Sequence, residues 1–255
     1  MAQSHPILHP HQVDQACAAF HRDGFAVIGD ALTEEQLAYA RQGTERVMGR
    51  NSGPDGTGGG RGGRRYTFGN QADQPQWLIL IDLPTTRSLL DAIFGDSQYG
   101  YTVVRVGGDY SLPGAADQEL HVHQEADFRH LPPGVAPLVV VSFPMVDFTS
   151  KTGATRIIAG TQRTMEPPPA LQDEPQWMKD SHVFAPAGSA IVWDSRLWHA
   201  GSANRSDQKR AYMAVYYAQH WYRPYDEADE KCLPRQLYET LSPWAQQVCR
   251  YMVRN

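Results

Sequence analysis

The sequence predicts a mainly β fold with helices added at both ends, and three observations carry that prediction. From about residue 100, short runs rich in β-branched and aromatic residues follow one another between Gly, Pro and Asp turns. No helices intervene, which points to an antiparallel sandwich or barrel rather than to βαβ units. The N-terminal fifty residues and the C-terminal tail instead space their apolar residues as helices do.

The elements follow in order. In "HQVDQACAAFHRDG", Val13, Ala16, Cys17, Ala19 and Phe20 share a helix face, and Gly24 can end the helix. "FAVIGD" is a short strand. "TEEQLAYARQGTERVM" opens on Thr33 as N-cap, with acidic residues in the first turn. "NSGPDGTGGGRGGRR" is loop; it lacks the Gly-Lys-Ser/Thr ending of a phosphate-binding loop, and no strand leads into it. As a lid it would present Arg61, Arg64 and Arg65 to an anionic substrate; as a plain surface loop it would leave them in solvent. The expected strands are "YTVVRV", "ELHVHQ", "PLVVVSF", "TRIIAG", "GSAIVW" and "RAYMAVYYA". "TMEPPPALQDEPQWMKD" reads as an inserted loop and "PRQLYETLSPWAQQVCRYM" as a helical tail. The organisation expected is one domain over residues 1–255: a helical part to about 95, a β core over about 100–220 and a helical tail over about 231–255.

Composition narrows the function classes. With 41% hydrophobic and 20% charged residues the chain reads as an ordinary soluble protein. A net charge of −5 argues against a nucleic-acid partner. No apolar run reaches the ~20 residues of a membrane span. The start, "MAQSHPILHP", lacks a signal peptide's layout, and three cysteines are too few for a disulfide framework or a zinc site. A cytoplasmic protein acting on a small molecule is the expectation; no motif bears on oligomeric state.

The densest chemistry lies in "ELHVHQEADF", residues 119–128. On a strand His121, His123 and Glu125 face one way. A His-x-carboxylate pair and one distant histidine can take one face of a metal's octahedron and leave three positions open. His199 lies between two expected strands, and Arg210, eleven residues on, heads the last one. A planar guanidinium there suits a buried carboxylate, such as the far end of 2-oxoglutarate, better than lysine would.

Plainer readings stand beside these. His121 is a structural or substrate-facing histidine, and Asp127 pairs with His123 only if the strand runs on unbroken. Arg210 alone is an ordinary salt-bridge residue. Gly201 and Asn204 read as turn formers. Trp193, Asp194 and Phe128 fall near the metal if the fold is right, with core packing and a turn as alternatives. A cupin reading draws on His121, His123, Asp127 and Gly134, but has Ile191 where its second motif wants histidine. A β-sandwich binding module would explain the strands without the His/Glu/His/Arg set.

"HQE" at 123–125, "GATRIIAG" at 153–160, His199-Ala-Gly-Ser-Ala-Asn204 and Arg210, with the opening "FHRDGFAVIGDALTEEQL", resemble the phytanoyl-CoA dioxygenase family over about residues 18–215. The resemblance implies a double-stranded β-helix (jelly-roll) core and a dioxygenase using Fe(II), 2-oxoglutarate and O2. By it, His123, Glu125 and His199 match the metal ligands and Arg210 the cosubstrate anchor, with Ser142 a further cosubstrate candidate. The family usually has aspartate where this chain has Glu125; glutamate offers the same oxygen one methylene further out. Because a carboxylate is present, the halogenating variant is not implied. The segments 53–65 and 161–182 are the candidate lids.

Overall fold

A computed structural model describes residues 5–50, 63–95, 100–123, 128, 130–132, 134–223 and 232–254. Glu125 and Asp127, most of the glycine-arginine loop, and Arg61 within it lie outside them. No helix among the described residues is long and apolar enough to cross a membrane.

The N-terminal half builds helices around a few short strands. Strand β1 (Ile7–Leu8) precedes helix α1 (Val13–Asp23), which ends at Gly24 in the left-handed region, φ 87°. A Cβ on Gly24 would stand 2.6 Å from Leu197 Cδ2, so the close approach demands glycine too. Strand β2 (Phe25–Ile28) leads to helix α2 (Glu34–Arg50). Thr33 caps α2 reciprocally: its Oγ1 accepts from Gln36 N at 3.2 Å, and its own N–H donates to Gln36 Oε1 at 2.9 Å. Strand β3 (Arg65–Thr67), helix α3 (Pro75–Leu78) and helix α4 (Pro84–Phe94) follow, both helices with proline in the first turn.

The second half is strand-rich: β4 (Tyr101–Ser111), β5 (Leu138–Pro144), β6 (Thr155–Ile157), helix α5 (Gln176–Lys179), β7 (His182–Val183), β8 (Ala190–Asp194), β9 (His199–Gly201) and β10 (Arg210–Gln219). Strand β11 (Leu233–Pro234), helices α6 (Arg235–Tyr238) and α7 (Pro243–Cys249), and strand β12 (Val253–Arg254) form the tail.

A large sheet runs in the order β1-β2-β8-β5-β10-β4-β3, antiparallel except for the β1–β2 pair, and a small sheet in the order β7-β6-β9. Alternation along β10 shows how the large sheet divides its faces. Ala211, Met213, Val215 and Tyr217 face the helical layer with Phe20, Trp77 and Leu90. Tyr212, Ala214, Tyr216 and Ala218 face inward, with Phe148, Ile157, Val183 and Leu197 from the small-sheet side. A sheet buried on both faces needs near-continuous apolar strands, and β5, "LVVVSFP", is buried throughout.

The strands expected in "YTVVRV", "PLVVVSF", "TRIIAG", "GSAIVW" and "RAYMAVYYA" are present. "ELHVHQ" differs: its described part makes only a single bridge, His121 to His199. The N-terminal part lends the large sheet the strand expected in "FAVIGD", β2, together with β1 and β3, which were not expected. The inserted loop contains one helical turn, α5. It packs Met178 against Leu120, Trp198 and Ala200, behind the small sheet, rather than over the inter-sheet cavity as a lid.

Candidate active site

The two sheets enclose a cavity at the end where β9 and β10 begin. His199 opens β9 and is buried. His121 arrives on the chain leaving β4, and the two backbones exchange N–H···O bonds of 3.0 Å in both directions. That pairing sets both side chains on one face. The ring centroids of His121 and His199 lie 4.3 Å apart, those of His123 and His199 4.7 Å. One nitrogen from each of His121, His123 and His199 lies within 4.8 Å of the others, a spacing that can hold a metal ion. Trp193, on β8, packs its ring 4.6 Å from that of His199.

Arg210 enters from the opposite sheet. It is 3% exposed, and its Nη2 donates to Thr155 Oγ1 at 2.9 Å. Its guanidinium carbon stands 3.9 Å from the centroid of Phe148 and 5.2 Å from that of Tyr212. It makes no ion pair with any described residue, and its buried Nε has no hydrogen-bond partner among them. Burial pulls its pKa down to about 10; Arg65 adds to that pull, while Tyr212 and Asp109 oppose it. A buried cation of this kind fits an anionic ligand.

Arg65 is buried as well, on β3 rather than in a lid. Its Nη2 donates to the carbonyls of Ala116 (2.7 Å), Gly201 (3.1 Å) and Ser202. Gln118 joins the same seam: its N–H donates to Gly201 O at 3.0 Å and its Oε1 accepts from Gly201 N at 2.9 Å. From the outer face of the small sheet, Arg156 donates to Gln118 O at 2.8 Å and pairs with Glu174, both side chains buried. The segment 112–121 has almost no strand ladder. These side chains therefore supply the bonds that fix it against β9, and with it His121 against His199. Gly201 is not a turn former but a close-approach glycine: a Cβ there would sit 2.5 Å from Arg65 Nη1 and 2.7 Å from Gln118 Oε1.

Sequence reasoning thus placed His123, His199 and Arg210 around one cavity, and the structure adds His121 to the histidines. Ser142 does not line the cavity; its Oγ accepts from Trp193 Nε1 at 3.1 Å and so steadies the indole beside His199. Asp194 serves its turn, bonded and ion-paired to Arg196 at 2.6 Å. Asn204 accepts from Ser206 in a turn. Phe128 packs on Tyr222, 5.0 Å between centroids. Thr155, Gln118, Arg156 and Glu174 were not singled out from sequence; the nearest signal was "GATRIIAG", which carries Thr155 and Arg156 without revealing what they meet.

By fold the chain is similar to proteins that have been solved with a metal ion and 2-oxoglutarate bound. It is similar to the epimerase SnoN from nogalamycin biosynthesis, solved with Fe3+, α-ketoglutarate and nogalamycin RO: TM-score 0.64, 16% identity, covering 84% of this chain and 87% of that one. HygX from Streptomyces hygroscopicus, solved with nickel, 2-oxoglutarate and hygromycin B, gives a TM-score of 0.61 at 16% identity over 84% and 91%. Sequence goes further. The family model described as phytanoyl-CoA dioxygenase (PhyH) matches residues 20–212, and the chain belongs to that family. Among curated relatives, "Uncharacterized protein Rv1501" of Mycobacterium tuberculosis is 27% identical over 78% of this chain and 72% of its own length. "Dioxygenase af480" of Aspergillus fumigatus is 31% identical over 66% of this chain and 52% of its own.

Proposed function

We propose that this chain is an iron(II)- and 2-oxoglutarate-dependent dioxygenase, a single domain on a double-stranded β-helix core. It hydroxylates an unactivated C–H bond of a small molecule, a natural-product or amino-acid-derived intermediate, with release of succinate and CO2. Family membership favours this reading over the cupin and binding-module alternatives. The observation that carries it is the buried Arg210, without a carboxylate partner among the described residues, lining the same cavity as three converging histidines.

The donor set fits the metal. Imidazole suits iron(II), and His123 and His199 together with Glu125, which lies outside the described residues, would make the two-histidine, one-carboxylate set with open positions. Bound iron and 2-oxoglutarate supply the activation of dioxygen needed to attack a C–H bond.

The protein's own residues do the placing. Leaving a buried charge uncompensated costs about 3–5 kcal/mol, so the cavity around Arg210 favours a ligand carboxylate. Thr155 and Phe148 hold the guanidinium at a fixed angle, which restricts the cosubstrate to one orientation toward the histidines. Trp193, steadied by Ser142, covers the flank of His199 against water. Tyr212 donates to Asp109 at 2.7 Å in the cavity wall, a polar pair available to the substrate.

The test is succinate formation from 2-oxoglutarate by anaerobically purified protein given iron(II), ascorbate and then air. Iron-dependent succinate that disappears in His199→Ala is the expected result. Succinate formation undiminished by that substitution would refute the assignment.

A further inference from the structure

We infer that His121 is a third imidazole ligand of the metal in the cosubstrate-free protein, beside His123 and His199. The inference rests on the metal-centre reading above and deepens it.

His121 shares with His199 both its place in the histidine cluster and its bonded ring nitrogen. The two form the closest histidine ring pair around the site, and each offers a nitrogen to the cluster whose members lie within 4.8 Å. Each also carries the same tautomer lock. His199 Nδ1 lies 2.9 Å from Leu197 O, and His121 Nδ1 lies 3.1 Å from Glu119 O, in both cases the carbonyl two residues back. A carbonyl only accepts, so each Nδ1 holds the proton and each Nε2 the lone pair. A backbone carbonyl on the far ring nitrogen is the arrangement that orients metal-bound histidines and raises their basicity.

The fold explains how the third donor gets there. Two reciprocal backbone bonds tie residue 121 to residue 199, and Gln118 and Arg65 fasten the chain just before it to β9. His121 is therefore held against His199 whether or not metal is bound. A bystander histidine would not need that register. Three nitrogen donors bind iron(II), cobalt(II) or nickel(II) readily, and the site should keep its metal more tightly than two imidazoles allow.

The experiment loads wild type and His121→Ala anaerobically with iron(II) alone, without 2-oxoglutarate. X-ray absorption at the iron edge counts imidazoles from their ring scattering, and a competition titration gives the iron affinity. Three imidazoles in wild type, two in the variant and an affinity loss of at least about tenfold are expected. Two imidazoles in wild type, or a variant with unchanged count and affinity, would overturn the inference. His121→Gln provides a second variant should alanine prevent folding, and the wild-type count decides the matter by itself. Wild type that takes up no iron, or His199→Ala that keeps it, would sink the metal-centre reading and this inference with it, a result distinct from a wild-type count of two.

Discussion

The large and small sheets are built by different forces. The large sheet is buried on both faces by apolar side chains and sealed beneath a helical layer, so its stability spreads over many contacts. The small sheet has strands of two and three residues, and a few charged and amide side chains hold it: Arg65, Gln118, and the Arg156–Glu174 pair. The candidate site lies where the two meet, with the histidines on the small-sheet side and Arg210 on the large. One sheet supplies a rigid platform; the other is a bonded seam whose geometry depends on individual residues.

That contrast can be broken by substitution. The largest effect expected is at the seam's functional end: His199→Ala should abolish tight metal binding, read by metal analysis after gel filtration. Next is the seam's buried ion pair. Glu174→Ala leaves Arg156 charged and unpaired in the interior and should destabilise the protein by about 3–5 kcal/mol, measured by denaturant unfolding. Replacing both residues together, Arg156→Met with Glu174→Leu, should restore most of that loss; no restoration would mean that the pair's bond to Gln118, rather than its charge, is what matters. Gly201→Ala pushes a methyl toward Arg65 and Gln118 and should cost about 1–3 kcal/mol by overpacking. Metal affinity should fall in the same variant, since the seam positions His121 and His199. The smallest effect belongs to the large sheet. Ile28→Val, in the helical-layer core, should cost about 0.5–1.5 kcal/mol with metal and 2-oxoglutarate affinities unchanged. A metal-site defect in that variant would erase the distinction between the two sheets.

The same contrast explains what could be read in advance. β5 and β10 announce themselves because a strand buried on both faces must be apolar along its length, and Arg210 stands out as the one charge within β10's run. Thr33 was legible because a capping box is local. His123 and His199 stood out as candidate ligands because metal chemistry restricts residue type and spacing, and both line the cavity. The seam was not. "ELHVHQ" has a strand's composition, yet the chain just before it is fixed by partners 38 to 83 positions away in sequence, through Arg65, Arg156 and the β9 backbone. Arg65 looked like part of a mobile loop because nothing in "GGRGGRRY" tells that its last arginine enters a strand. His121, read as structural or substrate-facing, stands opposite His199; alternation shows which face a residue shares, not what stands opposite it.

The most direct test of the account is 2-oxoglutarate binding to nickel-loaded protein under anaerobic conditions, by calorimetry, in wild type and Arg210→Met. Metal-dependent binding of one equivalent is expected in wild type, weakened at least about a hundredfold, or ~2.7 kcal/mol, in the variant, with metal content unchanged. Equal affinity in both proteins would contradict it, because the buried guanidinium would then have no part in holding the cosubstrate.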